Sequence, residues 1–371
     1  MSNRRVIFSN KAIAFSPIGS TSYTPVHGAQ AAGITTNFNL EQVFELSNQS
    51  IYENIEGSPD IQVTLSKVLD GYCPIYLLAT RGATYTSLVS RAAQDSIFAL
   101  AIHDDTVTAA TGIPIKECHM SGMVVGSVSY NFAVDGSFTE DVTLQGREKV
   151  WRSSNFLLTN FTEFENDEPL SINGSGGVQR REDIIYSSTA LTGVDVGFDV
   201  NGQVDSMDVT ILPPDIDGVG SSGLVTRQSD GSWSAHVQNI GVSFDFGREE
   251  VFELGNRAYY ARFANPLTEV STSISTYCIN GDNISATNAG ILGNGNNLSN
   301  RTIKIRTREG LHVNLGYKNK LASVEEGGGD AGGGNETITY NYTNFNDCSV
   351  AHPMDVTTAL RIAGPQGTLN A

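Results

Sequence analysis

Alternating apolar and polar residues predict several β-strands, and the clearest case lies within residues 34–67. The alternation begins at Ile34, stops in a loop-like stretch over residues 48–59, and resumes at Ile61. A period of two is typical of a strand with one buried face. The segment is therefore predicted to form a strand, a loop and a second strand.

The same pattern returns at residues 241–276. Val-Phe-Glu-Leu stands at residues 43–46 and again 208 positions later at 251–254, with an aromatic residue, Asn and Tyr kept at the same offset. The spacing then falls to 207, since Pro59 matches Pro266. Conserved order over about 30 residues indicates a duplicated domain.

The shared apolar positions of the two copies are predicted to be core residues of each domain. They are Phe38, Val43, Phe44, Leu46, Phe246, Val251, Phe252 and Leu254. The polar positions on the same frame are candidates for contacts between subunits. They are Arg248, Glu249, Asn256 and Arg257.

Other segments predict a helix and a hairpin. Apolar residues over 79–102 approximate a helical stripe that Thr86 or Ser87 could cap. Residues 127–146 alternate on both sides of Asp135-Gly136, which predicts a β-hairpin. Residues 301–321 are its expected counterpart in the second copy.

Gly-rich residues are expected to form a mobile loop over 325–336, between two strands. Its polar residues include Glu325, Glu326, Asp330 and Asn335.

Length and composition agree with two domains. The chain has 371 residues, and its 38 Gly with many Ser, Thr and Asn suit strands and turns. We predict a mainly β protein of two tandem domains. The first domain is expected at residues 1–165, a linker or long loop at 166–190, and the second domain at 191–371.

Charge and motifs argue against several functions. With 40 acidic and 23 basic residues, the net charge is −17, which disfavours gripping nucleic acid but suits a surface along which a polyanion slides. No apolar run reaches bilayer length and no secretion signal is visible, so cytosolic folding without membrane insertion is expected. His103-Asp104-Asp105 and Cys118-His119 lack the spacing of a metal or catalytic site. We therefore expect no enzyme, no cofactor and no metal.

Residues 241–275 resemble tail tube proteins of long-tailed bacteriophages and contractile injection systems. An alternating strand, Arg-Glu-x-Val-x-x-Leu-Gly, an aromatic run, Pro and another alternating strand carry the resemblance. The first copy keeps Val-Phe-Glu-Leu but has Leu40-Glu41-Gln42 and Ser47 where the second has Arg248-Glu249-Glu250 and Gly255.

The resemblance implies two tandem β-sandwich or barrel domains, each with at most one flanking helix, in a virion protein whose six tube domains form a ring around a DNA channel. In a stack of such rings, the Gly-rich loop at 325–336 is the candidate contact between rings, through Glu325, Glu326, Asp330 and Asn335. A chain with two such domains is expected to build the ring from three copies, although hexamers with one active domain per chain stay open. Stacked rings would pass genomic DNA non-specifically and would contact sheath, terminator or baseplate proteins in a tail assembled in the host cytoplasm. The rival readings are a baseplate hub or tube-capping protein of the same fold, and a receptor- or glycan-binding β-sandwich, for which Trp151 and Trp233 are the only tryptophans.

Overall fold

A computed structural model describes residues 6–20, 23–47, 49–83, 87–103, 114–146, 148–152, 177–181, 236–256, 259–277, 303–307, 310–328, 334–352 and 355. Strands dominate this part of the chain, which confirms the prediction of a mainly β protein. The strands are β1 (Lys11–Pro17), β2 (Thr24–Pro25), β3 (Ala29–Asn37), β4 (Leu40–Phe44), β5 (Ile51–Glu56), β6 (Asp60–Val68), β7 (Asp95–Ile102), β8 (Lys116–Ala133), β9 (Thr139–Gly146), β10 (Val150–Arg152), β11 (His236–Asp245), β12 (Glu249–Val251), β13 (Ala261–Phe263), β14 (Glu269–Tyr277), β15 (Lys304–Arg306), β16 (His312–Asn314), β17 (Lys320–Gly327), β18 (Thr337–Phe345) and β19 (Ser349–Ala351). The helices are a 3-10 turn (Phe8–Asn10), α1 (Ile75–Ala79) and α2 (Leu88–Ala92).

The 18-residue strand β8 joins two parts of one 12-stranded sheet. Its first half, from Lys116, pairs with β7 and β10, and β7 pairs in turn with β1, which pairs with β2. Its second half, up to Ala133, pairs with β9 on one edge and β11 on the other. The strand belongs to both parts of the sheet because it is long enough to pair with different neighbours along its two halves.

The second half of β8 lies in the middle of one antiparallel run of eight strands, in the order β3-β6-β9-β8-β11-β14-β18-β17. We call β3, β6, β9 and β8 the first half-sheet, and β11, β14, β18 and β17 the second half-sheet. The pairing of β8 with β11 is the junction between them. Neither outer edge, at β3 and at β17, is paired within the described part of the chain.

The two half-sheets repeat each other in strand order, register and bulge position. In the first, the extra residues that shift the register are Gln30 in β3 and Gly126 in β8. In the second, they are Gln238 in β11 and Ala322 in β17, at the equivalent places. A bulge changes strand direction and twist locally, so shared bulges give the two half-sheets the same local geometry.

This register corrects two sequence expectations. The hairpin of β8 and β9 corresponds to that of β17 and β18, not to residues 301–321, where β15 and β16 form a separate hairpin that pairs with β19. Thr36 pairs with Ile61 and Phe244 with Val270, so the second copy is one residue longer between these pairs and not one shorter. Proline identity suggested the wrong alignment because a loop can absorb a residue without moving its flanking strands.

The helix prediction over residues 79–102 is right only at its start. Ser87 caps α2, with its hydroxyl oxygen accepting from the Ser90 backbone N–H at 3.4 Å, but the helix ends at Ala92. Residues 95–102 form β7, in which the apolar residues 98–101 are buried between β1 and β8. Both described α-helices fall within residues 1–165, where at most one was expected. Residues 194–212 alternate on both sides of Asn201-Gly202, which predicts a further strand pair, but they lie outside the described residues.

One apolar core lies under the eight-stranded run and crosses the junction. Tyr76 of α1 packs edge-on against Phe244 of β11, with ring centroids 5.3 Å apart. Glu140 in β9 fixes the start of α1, because its carboxylate accepts from the backbone N–H groups of Ile75 at 2.6 Å and Tyr76 at 3.1 Å. A helix of the first half therefore covers the second half as well.

Candidate assembly interfaces

Two short ribbons connect the first two strands of each half-sheet. The first ribbon is β4 with β5, and the second ribbon is β12 with β13. Gln42 pairs with Asn54 and Glu250 pairs with Arg262, so the registers agree at the sequence offset of 208. Each ribbon pairs with no other strand in the described part of the chain.

The backbone of the two ribbons also turns at the same places. Asn39 and Gly247 have φ of 48° and 52°, and Ser47 and Gly255 have φ of 79° and 87°. The left-handed region favours Gly and tolerates Asn, so the conformation is kept at Ser47 with a strained residue. The substitution of Ser for Gly noted in the sequence therefore changes the side chain and not the shape.

The prediction that the shared apolar positions are core residues is wrong for seven of eight. Phe246 is buried, Val43 is half-buried, and the side chains of Phe38, Phe44, Leu46, Val251, Phe252 and Leu254 are exposed. The reason is that these residues stand on the ribbons or next to the outer edge of β3, where no described part of the chain covers them. A sequence pattern shows that a position is apolar, but it does not show whether the residues that bury this position belong to the same chain.

Phe246 owes its burial to the first half. Its backbone N–H donates to the carbonyl of Gly126 in β8 at 2.8 Å, and its ring stacks at 6.5 Å from Tyr76 of α1. Phe38 is the equivalent residue of the first copy and is 59% exposed. It follows β3, whose outer edge is unpaired in the described part of the chain. The same residue type in the same local geometry is thus buried only where another half-sheet adjoins it.

Two arginines attach the second ribbon to the first half. The Arg248 side chain donates through Nε to the carbonyl of Val125 at 2.8 Å, and Arg262 donates to Asp60 at 2.8 Å and to Glu250. Arg248 was a candidate for contacts between subunits, but these bonds place it at the contact between two halves of one chain. Its equivalent in the first ribbon is Leu40, which is exposed.

A cavity of about 560 Å³ lies beside these arginines, lined in part by Ala92, Val124 and Tyr259. Burial lowers the pKa of Arg248 to about 10, and the charge of Arg262 acts in the same direction. Burial also opposes the charge of Arg262, but the hydrogen bonds that it donates to Glu250 and Asp60 outweigh burial, so the pKa of Arg262 is raised. Both guanidinium groups stay charged at neutral pH.

The remaining candidate contact residues have separate positions. Glu249 is exposed in β12, and Asn256 is exposed in the turn after it, where its N–H donates to the Glu253 carbonyl. Arg257 lies outside the described residues. The structure does not bring these residues together with Arg248 as one site.

The loop expected at 325–336 begins later than predicted. Glu325 and Glu326 belong to β17, because their backbones pair with Thr339 and Ile338 of β18. Asp330 lies outside the described residues, and Asn335 precedes β18. Any contact between rings through this segment stays a prediction.

One face of the eight-stranded run packs on the core and the other carries small polar side chains. A shallow groove crosses the junction on this polar face, lined by Ser, Thr, Gly and Asn residues and by backbone of the intervening ones. The exposed acidic residues of the face are Asp141, Asp245, Glu269 and Glu325, and Lys320 is its exposed basic residue. Such a surface offers phosphate groups little attraction.

Among the described residues of the groups considered in the sequence, no catalytic arrangement is seen, and Asp104 and Asp105 lie outside the described residues. His119 contacts Glu117 at 2.9 Å within β8, and His103 is buried at the end of β7. Burial raises the pKa of the Cys118 thiol to about 11, so it stays protonated at neutral pH. Among the described residues no cluster of three or more His, Cys, Asp or Glu could hold a metal ion. No described helix is long and apolar enough to cross a membrane.

No family model and no curated protein matches the chain. Among solved structures, the SPP1 tail tube is 12% identical with a TM-score of 0.33, over 46% of this chain and 91% of its own. The tube-terminating cap of the anti-feeding prophage is 10% identical with a TM-score of 0.30, over 42% and 95%. A chain of the sheath–tube complex of an extracellular contractile injection system is 8% identical with a TM-score of 0.31, over 41% of this chain and 94% of its own. The solved structures to which this chain is similar include tail tube, cap, baseplate and Hcp proteins of phage and contractile injection systems.

Proposed function

We propose that this protein is a structural subunit that joins copies of itself edge to edge into rings, which stack into the tail tube of a phage-like particle. The observation that carries the proposal is the open run of two register-identical half-sheets. At its junction β8 of one half-sheet pairs with β11 of the other, and its outer edges, β17 and β3, are the equivalents of these two strands and are unpaired within the described part of the chain. An unpaired strand edge is a template for further pairing, and closing a ring removes it.

The contact is heterologous, because β3 and β17 are different surfaces. Such contacts close into a ring when the rotation between neighbours fits. Three copies would supply six half-sheets, the number that the resemblance to tube proteins implies for a ring. The two halves, within residues 1–165 and 191–371, would then act as two tube domains of one chain.

The polar face of the sheet would line the channel. Its Ser, Thr, Gly and Asn residues and the exposed acids named above form no cationic surface that would hold phosphates. DNA could therefore move through without sticking. This arrangement requires no catalysis, cofactor or metal.

The ribbon tips would make the contacts along the tube axis. Phe44 and Leu46 are as exposed as their equivalents Phe252 and Leu254, although the second ribbon already contacts the first half through Arg248 and Arg262. Contact within a ring therefore leaves the tips uncovered. The next ring, or a terminator, baseplate or sheath protein, is the partner that would cover them.

Mass measurement of the purified chain tests the ring directly. Sedimentation across a concentration series should show a species of three times 39.7 kDa and larger multiples of it. A hub or cap protein of the same fold would be separated by copy number in virions, on the order of a hundred for a tube and a few for a hub. A chain that stays monomeric at all concentrations would contradict the proposal.

A further inference from the structure

The junction within the chain specifies the register of the contact between chains. Across it, Val128 lies opposite Phe244, Ser129 opposite Ser243 and Tyr130 opposite Val242. The N–H of Phe246 donates to the carbonyl of Gly126 in the same register. Hydrogen-bonded pairs alternate along an antiparallel ladder, so Ser129 and Ser243 form a non-hydrogen-bonded pair with close side chains.

Each strand of the junction has an equivalent at a free edge. β3 corresponds to β11, since their bulges fall at Gln30 and Gln238. β17 corresponds to β8, since their bulges fall at Gly126 and Ala322. The free edge of β3 is the edge that β11 presents to β8, and the free edge of β17 is the edge that β8 presents to β11.

We infer that β17 of one copy pairs antiparallel with β3 of the next in the register of the junction. This inference rests on the proposed self-assembly and adds to it the identity of the facing residues. Val324 would lie opposite Thr36, Glu325 opposite Thr35 and Glu326 opposite Ile34. The Phe38 N–H would donate to the Ala322 carbonyl, as Phe246 donates to Gly126.

The half-exposed residues of the free edges agree with this register. Ile34 and Val324 lie partly buried against the core, on the face where Val242 and Val128 are buried at the junction. A neighbouring copy in this register would extend the core across the contact. Slipping by one residue would turn these side chains to the polar face, so the apolar pattern excludes it.

The first ribbon of the copy that supplies β3 would then lie over the second half of the copy that supplies β17. Arg262 of the second ribbon bonds to Asp60 at the start of β6. The equivalents are Asn54 in the first ribbon and Glu269 at the start of β14. An amide donor would thus face a carboxylate between copies, where a guanidinium faces one within the chain.

Disulfide trapping tests the register. The variant T35C/E325C places thiols at the inferred pair between copies, and S129C/S243C places them at the equivalent pair within one chain as the positive control. T35C/S323C shifts the pair by two residues, about 7 Å, beyond the reach of a disulfide. The single variants T35C and E325C, and the parent chain with its native cysteines, control for other pairings.

After mild oxidation, T35C/E325C should give covalent dimers and trimers on a non-reducing gel, while S129C/S243C stays at the mass of one chain with its free thiols lost. Rings that form while only T35C/S323C or a single variant cross-links would overturn the register and leave the proposed function standing. If the intrachain control oxidises but no variant forms rings or cross-links, the self-assembly fails with it.

Discussion

Phe38 and Phe246 occupy the same position in two register-identical half-sheets, yet Phe38 is 59% exposed and Phe246 is fully buried. The difference comes from what adjoins them. Tyr76 and β8 of the first half cover Phe246, whereas nothing in the described part of the chain takes that place beside Phe38. Each half-sheet is thus paired with the other half-sheet at one edge, and its opposite edge is unpaired within the described part of the chain.

The two phenylalanines should respond oppositely to truncation. F246A should lower the free energy of unfolding by about 3–5 kcal/mol, as expected for a buried Phe. F38A should change the stability of the isolated chain by well under 1 kcal/mol but weaken association, since it removes area buried only between copies. Urea unfolding at low concentration and sedimentation at high concentration separate the effects. Equal losses of stability would show that Phe38 has no partner role.

Blocking the edge of β3 should prevent ring formation without unfolding the chain. In the inferred register the Ile34 N–H points to the free edge, so I34P removes a hydrogen bond that only a neighbour could accept. I34A is the matched control, because it shortens the side chain and keeps the N–H. We expect I34P to stay monomeric and I34A to assemble at a higher concentration. Identical assembly of both variants would place the contact elsewhere.

A gain of association is expected from copying the second ribbon onto the first. N54R would set a guanidinium against Glu269 of the next copy, as Arg262 faces Asp60 within the chain. A partly buried ion pair of this kind should lower the concentration for half-assembly several-fold, and added salt should reduce the effect. N54Q keeps an amide and should behave like the parent. Weaker assembly of N54R at low salt would contradict the placement of the first ribbon.

Charges at the ribbon tips should separate rings from tubes. Leu46 and Leu254 have exposed fractions of 96% and 105%, so their replacement should leave the fold intact. In L46D/L254D, like charges would meet wherever tips approach another ring, and rings should form without stacking. L46N/L254N controls for lost apolar area without the charge. Long tubes formed by the aspartate variant would remove the tips from the axial contact.

Part of this organisation was predictable from the sequence, because strand alternation locates β3 and β6 and the repeat locates β11. The ribbons were not predicted: residues 48–59 were expected to form a loop, but they contain β5, which pairs with β4. What the sequence did not reveal was the partner of each apolar residue. Leu46 and Phe246 are both apolar residues at repeated positions, but only Phe246 is buried by other residues of the same chain. The register of β17 was also hidden, since Ser-Val-Glu-Glu at 323–326 matches Ser-Val-Ser-Tyr at 127–130 too weakly to align without the bulges.

The buried carboxyl group of Glu140 should make stability depend on pH. Burial raises its pKa above 4.5, although hydrogen bonds from Tyr76, Ile75 and Tyr130 act against the shift. A raised pKa in the folded state favours folding below the unfolded value, and that contribution is lost as pH rises through the folded value.

E140Q cannot ionise, so the stability of the parent relative to E140Q should fall as pH rises from about 4 through the raised pKa of Glu140. Urea midpoints of both proteins across this range provide the measurement. D141N, which changes an exposed carboxylate of the same strand, is the control. A pH-independent difference between the parent and E140Q would show that the Glu140 carboxyl does not titrate differently on folding.

Electron microscopy of the purified, concentrated chain tests the central claim most directly. The account predicts hollow rings whose class averages show three-fold symmetry with six similar lobes, and stacks of such rings at higher concentration. Averages showing only isolated monomers, or closed two-fold dimers joined through like edges, would contradict it.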